Sequence, residues 1–255
     1  LAGDWQPRDD IRLRVSYQRA VRAPSVLESF SPNNNVLFAF QDPCSGAAPL
    51  DNLAQCQNTG VTAAQYGHIT PCPSAQCKNV VGGNANLQPE TSTTQSIGLV
   101  LTPTFLRGFN ASVDYFDIQV DKLIGTYGAA FIFNTCANTG DAATCALVNR
   151  DANGFLFSDS TNLINTTKNT GFLHTTGLDF EANYRTNFSD LGMGDLGGLR
   201  FNFVGTYLDK LELQPVPAGI TDGGGVFDCA GLYATNSSTP TPQWRHKLRV
   251  TWTSP

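Results

Sequence analysis

Charge is scarce in this sequence, and so is every feature of a helical membrane protein. Only 15% of its residues are Asp, Glu, Lys or Arg, against about 25% in an ordinary soluble domain. The net charge of −5 lacks the basic excess of a nucleic-acid surface, so no nucleic acid is expected as a partner. No apolar run reaches the roughly 18 residues that a transmembrane helix requires. Residues Leu1 to Pro7 have neither the basic start nor the apolar core of a signal peptide. The single methionine is Met193 rather than an initiator, and the chain reads as a piece of something longer. No Gly-x-Ser-x-Gly elbow, phosphate-binding glycine loop or His-Glu-x-x-His pair is found. Neither enzymatic activity nor a cofactor is therefore expected. Cys72 and Cys77 have zinc-like spacing, but no second pair with histidine follows, so no metal is expected either.

What the chain has in quantity is alternation. Around Gly82 to Pro89 the residues are turn formers, and Pro89 restricts Gln88 to extended backbone. Ile97, Leu99 and Leu101 then face away from Ser96, Gly98 and Thr102, a period of two that marks an amphipathic strand. The same pattern appears at Ile11 to Tyr17, Phe109 to Tyr115, Leu178 to Tyr184, Leu199 to Tyr207 and Trp244 to Trp252. About six strands are predicted. Near Phe116 the phase slips, and a β-bulge is expected there.

The connections alternate between long and short. Residues 26–91, 125–170 and 213–241 are long, the intervening links are tight, and all seven cysteines lie in the long ones. Antiparallel strands joined this way place every long loop at one end, the layout of an outer-membrane β-barrel. Trp244 and Trp252 share a face, eight residues apart. On a tilted strand that is on the order of 20 Å, close to the apolar band between aromatic girdles. The alternative is a secreted β-sandwich that binds carbohydrate or protein, with the aromatics in its core. Cysteine spacing suggests three local disulfides, Cys44–Cys56, Cys72–Cys77 and Cys136–Cys145, with Cys229 left over.

Three motifs carry a resemblance. Arg22-Ala-Pro-Ser25 looks like the Arg-Ala-Pro-Ser box of TonB-dependent receptors of Gram-negative outer membranes. Asn84-Ala-Asn-Leu-Gln-Pro-Glu90 resembles their Asn-Pro-Asn-Leu-Lys-Pro-Glu box, departing at Ala85 and Gln88. Ser112 to Ile118 is similar to the strand that follows it. The resemblance implies an all-β, antiparallel transmembrane β-barrel fragment, part of a barrel of about 22 strands. Residues 1–255 would be partial barrel domain without the plug. It further implies the outer membrane as location and energy-dependent uptake of a scarce nutrient such as a siderophore, haem or carbohydrate. The implied partners are membrane lipid, the plug domain, the TonB energy-coupling protein through that plug, and a small-molecule substrate. A passive porin fits the strands but not the two boxes.

Arg22, Glu90, Asp179, Glu181, Arg185, Arg200, Arg245 and Arg249 are expected to line the lumen or touch the plug. Tyr66, Tyr127, Phe131, Phe133 and Tyr233 lie in the long loops, where aromatic faces suit sugars or aromatic chelators. His68 is the only histidine between the two boxes, where haem-uptake members carry a haem-binding histidine; a loop histidine without a special role is the competing reading. His174 and His246 sit singly on strands and are expected at an interface or surface.

Overall fold

The computed structural model describes residues 1–158, 162–216, 225–233 and 239–255. Strands β1 (Ala2–Arg8) and β2 (Ile11–Arg22) form a hairpin around Asp9 and Asp10. The first long connection holds α1 (Val26–Phe30), β3 (Asn34–Ala39), α2 (Leu53–Asn58) and β4 (Gln76–Val81). Then come β5 (Glu90–Leu101), a tight turn, and β6 (Phe109–Asp121). The second long connection holds β7 (Ile124–Gly125), α3 (Ala129–Thr139), α4 (Ala142–Cys145), β8 (Val148–Asn149), β9 (Asn162–Ile164) and β10 (Lys168–Asn169). The chain continues with β11 (Phe172–Asn187), β12 (Gly198–Leu213), β13 (Phe227–Asp228) and β14 (Trp244–Thr253).

The long strands form one antiparallel meander, β1-β2-β5-β6-β11-β12-β14, with β13 added beside the far end of β12. β1 and β14 are its two edges, so the sheet is open. The meander therefore has a seventh long strand, β1, beyond the six expected. Gly3 and Pro7 hide it from an alternation count, and an edge is where a strand proline is tolerated.

The bulge expected near Phe116 is not in β6, which runs in unbroken register with β5 and with β11. The register shift lies in β12, which carries one extra residue opposite Thr176 and Gly177. What changes at Phe116 is the surroundings rather than the strand. Below it, Phe109, Ala111, Val113 and Tyr115 point outward with Leu99, Leu178 and Phe180; above it, Asp117, Gln119 and Asp121 occupy the same side. β11 and β12 each have 16 residues, or about 50 Å, whereas a membrane strand needs only about 9–11 residues. The apolar and polar side chains thus divide this face into two zones along the strand.

The buried core is not under the sheet at all. It lies in the two long connections, where β3-β4-β9-β8 form a small sheet against α3, and α2 packs on α3. Cys44, Cys56, Val61, Ile69, Ile132, Phe133, Cys136, Leu156 and Leu163 fill it. The three expected disulfides, Cys44–Cys56, Cys72–Cys77 and Cys136–Cys145, are all formed, and Cys229 is a buried free thiol. At its centre Arg150 donates to both oxygens of Asp42, at 2.6 and 2.9 Å, with both side chains at most 3% exposed. The same guanidinium donates to Thr59 Oγ1 and the Gly154 carbonyl and lies over the Phe133 ring. A charge this deeply buried is tolerable only when well hydrogen-bonded, and these contacts take four of the five guanidinium N–H groups.

Candidate functional site

The two sequence boxes join the small disulfide-linked body to the rim of the long sheet. Arg22 ends β2 and donates through Nε to Glu90 Oε2 at 2.6 Å, while its other nitrogens reach both oxygens of Glu28. Glu28 also closes a capping box with Ser25, which starts α1 directly after Pro24. Glu90 uses its second oxygen to accept from the Ile124 backbone N–H at 2.7 Å. Asn84 donates to Thr167 O and folds its own turn by accepting from Asn86 N–H. Gln88 receives Lys122 Nζ at 2.6 Å, and its backbone is held on both sides by the Asn169 amide. Gly83 lies so close under α1 that an added Cβ would fall 2.7 Å from the Phe30 nitrogen. Both long connections are thus tied to the strands at one place.

Below this rim one sheet face is charged from β1 to β14. Asp4 pairs with Arg12, and Arg14 grips Asp114 across the intervening strand, Nε to Oδ1 at 2.7 Å. The bridge passes over Gly98, where an added Cβ would stand 1.9 Å from the Asp114 oxygen, so only glycine permits it. Asp179 accepts from Thr206, and Glu181 accepts from Asn183, which also bonds Asn110 and Asn202. An open depression of about 500 Å³ lies here, bordered by Arg14, Asp114, Asp179, Glu181, Arg245 and Lys247. By register, Arg22, Glu90, Asp179, Glu181, Arg185, Arg200, Arg245 and Arg249 all share this face. The opposite face carries Trp5, Tyr17, Tyr115, Tyr207, Trp244 and Trp252. His246 lies there too, accepting from the Trp244 indole.

The loop residues separate into two groups. His68 and Tyr233 are exposed. Tyr66, Tyr127 and Phe131 are half-buried, Tyr66 through its hydroxyl on the Asp51 carbonyl and Tyr127 edge-on to Phe131. Phe133 is a correction: at 0% exposure it belongs to the core beneath Arg150 and Phe40 and offers no face to a ligand. Its position on α3, with Ala129, Ile132, Cys136 and Ala137, is the buried stripe of an amphipathic helix. Among the described residues no group of His, Cys, Asp and Glu has metal-site geometry.

One polar cluster escaped the sequence reading. His174 on β11, in the polar zone of the face it shares with Asp117, faces Asp117 Oδ1 through Nε2 at 3.0 Å and Glu212 Oε2 through Nδ1 at 3.1 Å. Two carboxylates against two ring nitrogens require both nitrogens to donate, which is the imidazolium. Burial opposes that charge, but the bonds to Glu212 and Asp117 outweigh it and raise the histidine above its ordinary 6.5. Glu28 shifts the other way, held at about 2 by Arg22 and by the Ser25 backbone N–H. The two groups give opposite pH dependences. The His174 contribution is complete below pH 6.5 and is lost as pH rises through its folded value. That of Glu28 is complete above pH 4.5 and is lost as pH falls towards about 2. Hydrogen exchange on the intact protein should show β11 loosening at Phe172 to Thr176 in base and α1 loosening in acid. Glu28→Gln should abolish only the acid limb, and His174→Gln only the basic one.

The whole chain, residues 1–255, matches the family model for the TonB-dependent receptor-like β-barrel. The chain belongs to this family. Its place is therefore the Gram-negative outer membrane. No curated protein matches it. Among solved structures it is similar to an R480A mutant of the ferric enterobactin receptor PfeA of Pseudomonas aeruginosa in complex with enterobactin. That likeness has a TM-score of 0.52 at 15% identity, over 98% of this chain and 25% of that one. It is also similar to the siderophore receptor PirA of Acinetobacter baumannii, with a TM-score of 0.45 at 14% identity, over 84% of this chain and 23% of that one. The TonB-dependent receptor chain thus spans about a quarter of the length of the solved receptors it resembles. The family and these neighbours are transport receptors rather than enzymes.

Proposed function

We propose that this chain is barrel wall and outer loops of a receptor that imports a scarce small molecule by an energy-dependent route. The observation that carries the reading is the joint at the rim. Arg22, Glu28 and Glu90 fasten a disulfide-linked body to a sheet whose inner face is charged throughout. A passive pore needs hydration on that face but no such fastening.

In this reading Arg185, Arg200, Arg245 and Arg249, together with Asp179 and Glu181, dock a plug by charge-assisted hydrogen bonds. Arg22 and Glu90 are already engaged with each other, and they act on the plug through the rim they hold. His68 and Tyr233 are the exposed loop side chains suited to first contact with substrate, with Tyr66, Tyr127 and Phe131 behind them. The substrate class is a siderophore, haem or carbohydrate, no catalysis occurs, and TonB supplies energy through the plug.

The experiment is uptake. The full receptor, expressed in an outer-membrane-bearing host, should import one labelled class among ferric siderophore, haem and oligosaccharide, and should stop when the TonB protein is deleted. Uptake that persists at the same rate without TonB would return the chain to the porin reading.

A further inference from the structure

We propose that two neighbouring turns on the short-turn rim of the sheet, those joining β5 to β6 and β11 to β12, form an anchor that inserts into the periplasmic leaflet. Its partner would be the boundary between phospholipid headgroups and acyl chains. Turns that end in water rarely carry several exposed large apolar side chains, and these two do. The turn joining β11 to β12 exposes Leu191, Met193 and Leu196, with Met193 59% accessible. The turn joining β5 to β6 exposes Leu106 and Phe105, the latter 88% accessible. The two turns are neighbours, because β6 and β11 pair along their length and the Arg185 N–H donates to the Gly108 carbonyl at 2.9 Å.

The direction of the larger turn is set by Trp252. That residue lies on the outward, lipid-facing side, in register with Leu199, and its indole N–H donates to the Leu196 carbonyl at 2.9 Å. Gly192, Gly194 and Gly197 have φ values of 73°, 80° and 87°, so the segment curls as few other residues would allow. Of its two acids, Asp190 accepts from the Asn187 backbone N–H at the base of the turn, and Asp195 stays exposed beside Leu196. The lipid belt of Leu199, Trp252, Tyr184 and Phe109 therefore continues into the turns. A surface of this kind, apolar at the tip and flanked by Arg107 and Asp195, matches the interfacial zone of a bilayer, where apolar side chains are buried a few ångströms deep.

The test uses the full receptor in vesicles of phosphatidylethanolamine and phosphatidylglycerol. Nitroxide labels are placed at Met193→Cys and, as reference, at Asp9→Cys in the charged β1–β2 turn of the same rim. Collision rates are measured with oxygen, which partitions into lipid, and with a nickel chelate, which stays in water. The unsubstituted receptor, carried through the same labelling, sets the background. An oxygen-to-nickel ratio several-fold higher at 193 than at 9 supports insertion. Equal ratios at the two sites, or a higher one at 9, overturn it. The substitution is in an exposed turn, and heat-modifiable migration of the labelled receptor confirms folding before the ratio is read.

Discussion

Replacing Arg150 with alanine is expected to unfold the disulfide-linked outer body while the sheet beneath it stays folded. The loss is large because of what remains. Asp42, at 2% side-chain exposure, would be left in the interior with no partner but the Cys44 backbone N–H. Removing one member of such a pair costs about 3–5 kcal/mol. The alanine also vacates the space over Phe133 and leaves the buried Gly154 carbonyl without its guanidinium donor. The body has only its small core and three disulfides to set against that loss, whereas the sheet is held by its own ladders and by lipid. Hydrogen exchange and limited proteolysis should show protection lost across 42–81 and 129–158, with heat-modifiable migration retained. Changing both partners, Asp42→Leu with Arg150→Met, should recover part of the protection, because no unpaired charge is then buried. Undiminished protection in Arg150→Ala would mean the pair does not hold the body together.

The fold was legible where one rule acts along a whole strand. Alternation placed the six strands from Ile11 to Trp252, and parity gives six of the eight charges proposed for the inner face, while Arg22 and Glu90 rest on the two boxes. Three things were out of reach for physical reasons. β1 carries Gly3 and Pro7, so an edge strand contributes almost no pattern. The polarity reversal at Phe116 looks like a bulge, because a strand passing from lipid into water changes its surroundings without changing its geometry. Pairing across strands needs the register: Arg14 meets Asp114 a hundred residues away only because Gly98 lies between them. One signal was readable and lay unused. Ala129, Ile132, Phe133, Cys136 and Ala137 recur at helical spacing, and that stripe already assigned Phe133 to a core rather than to a ligand.

Leu248→Arg should impair folding into membranes far more than Lys247→Leu, although the two residues are adjacent. Leu248 points outward midway between Trp244 and Trp252 and pairs with Phe203, while Lys247 points inward opposite Val204. Leu248 is 60% exposed in the sheet, so an arginine there meets no protein that would reject it. In water it would be nearly neutral. In lipid, at the level furthest from both aromatic girdles, it costs about 2–4 kcal/mol. Lys247→Leu only exchanges one hydrated side chain for a less polar one on a face that water reaches. Urea titration of the full receptor refolded into vesicles would measure both. A midpoint lowered strongly by Leu248→Arg and little by Lys247→Leu places the aromatic face in the bilayer. Equal, small shifts would mean that water bathes both faces, and the membrane assignment of the sheet would fall with them.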